Sequence, residues 1–153
     1  MATTGVRVAE AARLRYADIR QVGDGYMVEI CGKDDTTPRL VPIANLAVDA
    51  IREWQEMQGG KEYIFTAFDG RGNRLSERPI SKVAIWRILR AYGAQMGREE
   101  LAPHDLRRYV GTQMTIQHGL VAASQQLGHS NPMTTARYYQ TGRLEPNQAN
   151  DML

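Results

Sequence analysis

The sequence predicts an α+β domain, mainly α-helical, with a small antiparallel β-sheet near the N-terminus. Apolar residues recur at helical spacing over 45–58, 81–96 and much of 103–139, whereas 17–43 breaks into short extended pieces separated by glycine-containing turns. A length of 153 residues, 42% hydrophobic and 24% charged, suits one globular domain with its own core. No internal repeat, low-complexity tract or interdomain linker interrupts it.

Taken in order, 6–14 is a short helix with Val6, Ala9 and Leu14 on one side, Arg7 in its first turn and Glu10 three residues on, placed to pair with Arg7 or to cap the helix. Residues 26–31 and 39–43 are strands of a sheet with a reaching hairpin between them, and Gly23-Asp24-Gly25 is a further break. Residues 45–58 form an amphipathic helix with Leu46, Ala50, Ile51, Trp54 and Met57 expected inward, ended by Gly59-Gly60. Tyr63-Ile64-Phe65 is expected as a short buried extended segment, followed by a polar loop over 69–78. From Ser81, the series Val83, Trp86, Leu89, Tyr92 and Met96 predicts one buried stripe, with Arg87 and Arg90 on other faces. Past Pro103 come helices at 105–117, with Gly119 as cap, and at 121–127, ended by Gly128. Asn131-Pro132 then reads as an N-cap with proline at the first helical position, opening a helix that carries Tyr138. The tail from Gly142 has few apolar anchors and is expected to be mobile in an isolated monomer.

Several function classes are excluded or left without support. No window approaches a membrane-spanning length, and 1–7 has no apolar run behind a basic segment. A single cysteine, Cys31, forms no internal disulfide and is expected as a small core residue in a reducing cytoplasm. The pair Asp34-Asp35 lacks further ligands at metal spacing and reads as a turn. No phosphate-cradling glycine loop and no zinc-spaced Cys/His set is present, so no metal and no cofactor is expected. A net charge of +2 does not by itself demand a nucleic-acid partner, but the basic residues are 16 Arg and 3 Lys, and arginine is the residue suited to bidentate phosphate contacts.

The chemistry concentrates in 103–139. His104 and Arg107, three apart, project from the first turn of a helix, where unpaired N–H groups and the helix dipole add positive potential, so the spot suits an anion. His129 follows the helix-ending Gly128, and a phenol, Tyr138, comes nine residues later. Two imidazoles, a guanidinium and a phenol are a set suited to phosphoryl chemistry.

Thr4-Gly5-Val6-Arg7-Val8-Ala9-Glu10, Gly32-Lys33 ahead of Arg39-Leu40-Val41-Pro42, His104-Asp105-Leu106-Arg107-Arg108, and Leu127-Gly128-His129-Ser130 running on to Thr134-Thr135-Ala136-Arg137-Tyr138 form an ordered series. In that order and spacing the chain resembles the catalytic domain of tyrosine recombinases of the phage-integrase type, over nearly its whole length. The resemblance implies one catalytic domain spanning 1–153, with the family's N-terminal DNA-binding domain and first helices absent ahead of Arg7. It implies cleavage and rejoining of DNA strands through a 3′-phosphotyrosyl link, with Tyr138 as nucleophile and Arg7, Lys33, His104, Arg107 and His129 as the catalytic set. Glu10 supports the site, Lys33 is the mobile lysine of the hairpin and candidate acid, and Arg87, Arg90 and Arg108 are candidates for the DNA backbone. Replacing Arg107 by Lys is expected to leave the fold nearly intact.

The partners it implies are double-stranded DNA and copies of the chain itself: a homo-oligomer on DNA, a tetramer as in the family, and a monomer or weak dimer alone, in the cytoplasm at a bacterial or phage nucleoid. Two other readings stand beside it. One is a shortened relative that binds DNA or interferes with recombinase assembly; the other is a type IB topoisomerase-like nicking and closing enzyme, which shares the chemistry without synapsis.

Overall fold

The computed structural model describes residues 1–32, 38–59, 62–69, 71–129 and 131–139, with the backbone but not the side chains described at 74–77, 132 and 137–139. Among these residues the elements run α1 (Val8–Arg13), a 3-10 turn (Tyr16–Asp18), β1 (Ile19–Val22), β2 (Gly25–Ile30), β3 (Arg39–Ile43), α2 (Asn45–Gln58), β4 (Thr66–Phe68), β5 (Arg74–Pro79), α3 (Lys82–Gln95), α4 (Pro103–Leu127) and α5 (Pro132–Tyr139). The α+β class, helix-rich with a small antiparallel sheet near the N-terminus, is as the sequence predicts.

β1, β2 and β3 pair antiparallel in that order, with Ile19 opposite Val28 and Val28 opposite Val41. Alternation along β2 turns Val28 and Ile30 inward. They meet Val41, the N-terminal residues Val6, Ala11 and Ala12, and Ile85 of α3 in one cluster. Each of the valine and isoleucine side chains contributes on the order of 1.5–3 kcal/mol on burial. The same alternation corrects the expectation for Cys31. It is the next residue after inward-facing Ile30, so it points out and is exposed.

Both helical stripes expected from periodicity are corrected as well. On α2 the fully buried residue is Val48, with Ile51 and Gln55 half-buried along the same line, whereas Leu46 and Met57 are exposed, Ala50 is exposed, and Trp54 lies at the boundary. The helix carries apolar residues along two lines, and β2 covers the one through Val48. Trp54 is still anchored, its indole N–H donating to the Ile64 carbonyl at 2.9 Å. On α3 the buried residues are Ile85 and Gly93, with Leu89 half-buried between them, while Val83, Trp86, Tyr92 and Met96 are exposed. Gly93 decides this face. A Cβ there would collide with the Arg98 carbonyl oxygen, because the chain after α3 folds back so tightly that Arg98 donates its N–H to the Gly93 carbonyl at 2.7 Å.

The polar stretch expected as a loop over 69–78 is a hairpin instead, β4 pairing with β5 around a turn built by Asp69. One Asp69 oxygen accepts from the N–H groups of Arg71 and Asn73, both at 2.8 Å, and the other from the Asn73 side chain at 2.9 Å. In the preceding segment Ile64 is buried, but Phe65 is exposed. Further on, Gly119 breaks α4 with φ 84 and ψ 167, so its two limbs correspond to the two helices read from the sequence. Gly128 ends the second limb in the left-handed conformation, φ 62. Asn131 opens α5, its side-chain oxygen accepting from the Met133 N–H at 2.9 Å. α5 packs on α4.

Candidate active site

An open depression of about 450 Å³ lies where the chain before α1, the start of α4 and the end of α4 meet, lined by Arg7, Trp86, His104, Arg107 and His129 among apolar Val6 and Val8. The N-terminal segment is fastened to α4 from both ends. Gln126 donates to the Thr4 carbonyl at 3.2 Å and Arg107 to the Gly5 carbonyl at 2.5 Å. Gly5, with φ 68, has no room for a side chain: a Cβ would come within 2.7 Å of Leu127 Cδ2.

Glu10 holds the first arginine. Its carboxylate accepts the Arg7 N–H at 2.7 Å, capping α1, and Arg7 Nη1 at 2.9 Å. It also accepts Arg39 Nη2 at 2.8 Å. The Glu10 side chain is 4% exposed, Arg39 14% and Arg7 45%, so the buried carboxylate and Arg39 support a cation that reaches solvent. Burial alone would raise the Glu10 pKa, but hydrogen bonds from Arg39 and from the Arg7 backbone, with the nearby positive charge, outweigh it and hold the carboxyl below its ordinary range. Arg39 runs directly beneath Gly128, where an added Cβ would approach its guanidinium carbon to 2.8 Å. Arg7 Nη2 reaches the Gly128 carbonyl at 3.3 Å.

Arg107 is buried. Besides Gly5, its Nη2 donates to the Leu127 carbonyl at 2.6 Å and lies 2.9 Å from His129 Nε2. Across the ring, His129 Nδ1 is 2.8 Å from the hydroxyl of Thr135, which itself accepts from Ser124 at 2.9 Å. Partial burial, followed by the charges of Arg107, Arg7, Arg39 and His104, lowers the His129 pKa to about 4, so the ring is neutral at physiological pH.

Of the residues singled out in the sequence, Arg7, Glu10, Arg107 and His129 lie in one bonded cluster, and exposed His104 lines the same depression. Lys33, the pair Asp34-Asp35, Ser130 and the tail lie outside the described residues, as does the phenol of Tyr138, whose backbone is carried by α5. Arg87 and Arg108 are exposed on α3 and α4. Arg90 is engaged within the domain: it donates to the Glu99 carbonyl at 2.8 Å and lies 4.4 Å from the centre of the Trp86 ring. Among the described residues no group of three or more His, Cys, Asp or Glu could hold a metal ion, and no helix is long and apolar enough to cross a membrane.

Three residues of the cluster escaped the sequence reading. Arg39 carries a readable signal, since it shares the inward face of β3 with Val41 and Ile43 at a spacing of two, which brings a charge to the core side. Thr135 and Ser124 carry none, because buried and exposed hydroxyls look alike in sequence.

The geometry can be set beside known proteins. The chain is 31% identical over 140 residues to tyrosine recombinase XerC of Pelobacter propionicus, covering 89% of this chain and 43% of that protein. It is 30% identical over 136 residues to tyrosine recombinase XerA of Thermococcus kodakarensis, covering 88% and 46%. It thus spans less than half the length of these curated relatives. Among solved structures, the XerA recombinase superposes with a TM-score of 0.73 at 24% identity, over 99% of this chain and 53% of that one. The XerH site-specific recombinase bound to its difH substrate does so with 0.74 at 20% identity, over 99% and 43%. The fold is therefore that of tyrosine recombinase catalytic domains. With residues 1–143 matching the phage integrase family, including both arginine motifs and the helix of Tyr138, the chain belongs to that family.

Proposed function

We propose that residues 1–153 are the catalytic domain of a site-specific DNA recombinase that cleaves and rejoins strands through a 3′-phosphotyrosyl link to Tyr138. The observation that supports this most directly is the convergence of Arg7, His104, Arg107 and His129 on one open depression, next to the helix that carries Tyr138. As the Tyr138 oxygen attacks the scissile phosphorus, negative charge grows on the two non-bridging oxygens. Arg7 and Arg107 supply fixed positive charge for it, with Glu10 and the Gly5 and Leu127 carbonyls holding them in place. An ordinary phenol ionises near ~10, so the cationic surroundings are needed for attack at neutral pH. His104 accepts the phenol's proton as the Tyr138–phosphorus bond forms. The bond from phosphorus to the 5′ oxygen breaks, and Lys33 protonates that leaving oxygen. The covalent link conserves the phosphodiester, so rejoining is the reverse attack by a 5′ hydroxyl and needs no ATP.

Double-stranded DNA is the proposed substrate, engaged by a homo-oligomer of the chain at the nucleoid. Arg87 and Arg108 are proposed to meet the backbone. Arg90, already held by Glu99 and Trp86, is assigned to the support of α3. The test is incubation with nicked suicide duplexes randomised around the crossover, followed by recovery and sequencing of detergent-stable adducts. Adducts enriched for one sequence are expected; none from the whole library would overturn the proposal.

A further inference from the structure

The hydroxyl of Thr135 is fully buried, on α5, one helical turn before Tyr138. It lies 2.8 Å from His129 Nδ1 and accepts from Ser124 of α4, itself buried, at 2.9 Å. On the far side of the ring, Nε2 is 2.9 Å from Arg107 Nη2. A guanidinium has only donors. Nε2 must therefore accept, and a neutral imidazole that accepts at Nε2 carries its proton on Nδ1, where the Thr135 oxygen receives it. The hydrogen-bond direction of the whole chain is set by these two ends.

We propose that Thr135 is a positioning residue for cleavage: by accepting the Nδ1 proton it holds His129 in the tautomer whose Nε2 orients Arg107, and the same hydroxyl fastens the helix of Tyr138 to α4. The cleavage part rests on the function proposed above. Two consequences follow from the geometry. With Nε2 accepting from Arg107 and Nδ1 donating to Thr135, His129 serves the phosphate indirectly, through the Arg107 guanidinium. Seating of α5 and alignment of Arg107 also become one event, because the His129 ring bridges them.

The experiment compares the full chain with Thr135→Val, which keeps the volume and removes the hydroxyl, and Thr135→Ser, which keeps the hydroxyl. Nitrogen-15 histidine spectra of the DNA-free protein at neutral pH should show His129 protonated on Nδ1 in the wild type and in Thr135→Ser. In Thr135→Val the Nδ1–H loses its buried acceptor, so the Nδ1-protonated share should fall against the Nε2-protonated form. Adduct formation on the suicide duplex should fall roughly 10–100-fold in Thr135→Val, by analogy with the loss of a partner that orients a metal-ligating histidine. It should recover to within a few-fold in Thr135→Ser. A wild-type His129 protonated on Nε2, or a folded Thr135→Val with unchanged tautomer and cleavage, would overturn the assignment. If the wild type forms no adduct at all, the recombinase reading fails, and the tautomer spectra still decide the role of Thr135 toward His129. Should Thr135→Val fail to fold, the wild-type tautomer and the Thr135→Ser comparison carry the decision.

Discussion

Replacing Glu10 removes the residue that joins α1, β3 and the first arginine. In Glu10→Ala the Arg7 N–H loses its cap acceptor at 2.7 Å, Arg7 Nη1 its partner at 2.9 Å and Arg39 Nη2 its partner at 2.8 Å. Breaking a buried ion pair by deleting one member costs about 3–5 kcal/mol. Arg7 is 45% exposed and recovers water, so the lower end applies, about 3 kcal/mol, dominated by Arg39 at 14% exposed. At roughly 2–4 °C per kcal/mol for a domain of this size, melting should drop by about 6–12 °C. Glu10→Gln keeps an acceptor oxygen and the shape but not the charge, and should lose about half as much. The pH dependence separates charge from shape. Because the folded carboxyl titrates below its unfolded value, its contribution is complete above the ordinary carboxylate range and is lost as pH falls through the depressed folded value. The gap between wild type and Glu10→Gln should therefore be widest at neutral pH and close on acidification. Urea unfolding across that range measures it. A Glu10→Ala protein within about 0.5 kcal/mol of wild type at neutral pH, or a gap that widens in acid, would refute the reasoning.

Other outcomes are as specific. Arg107→Lys should lower adduct formation by orders of magnitude and also destabilise the fold by about 3 kcal/mol, since one ammonium does not replace a fork that serves the buried Gly5 and Leu127 carbonyls. Denaturant unfolding beside the adduct assay checks both, and it revises the expectation from sequence that the fold is spared. Gly128→Ala should cost about 2 kcal/mol or more, from the left-handed backbone and from displacing Arg39, and unfolding data should show less than additive losses when combined with Glu10→Ala. His129, with a folded value of about 4, should remain neutral through the ordinary histidine range in an NMR titration of the DNA-free protein. Its contribution to stability is complete above the unfolded histidine value and declines as pH falls toward the folded one, so His129→Gln should flatten that part of the stability profile.

What was legible in the sequence follows from what local patterns encode. Strand β3 and helix α2 start and stop where alternation, Asn45 and Gly59 put them, because backbone signals are local. Which face of α2 or α3 is buried is not local. Leu46 and Met57 make as good an apolar line as Val48 and Ile51, and the choice depends on where β2 lies. On α3 it depends on the close return of the chain over Gly93. The site divides the same way. Arg7, Glu10, Arg107 and His129 are visible as titratable residues at or near helix ends, Arg7, Glu10 and Arg107 at helix starts, where an anion site is expected. Arg39 acts through a contact with Glu10, 29 residues away, and Thr135 and Ser124 through the packing of α5 on α4, so neither hydroxyl could be told from a solvated one beforehand.

The claim that Tyr138, and not the adjacent Tyr139, forms the covalent link with DNA is tested most directly by trapping the adduct on a suicide duplex, digesting it and locating the nucleotide by mass spectrometry. Neighbouring positions on a helix lie about 100° apart, so one position against the phosphate admits only one of two adjacent phenols. The nucleotide is expected on Tyr138, with the adduct abolished in Tyr138→Phe and retained in Tyr139→Phe. A nucleotide found on Tyr139, with the adduct surviving Tyr138→Phe, would contradict the assignment.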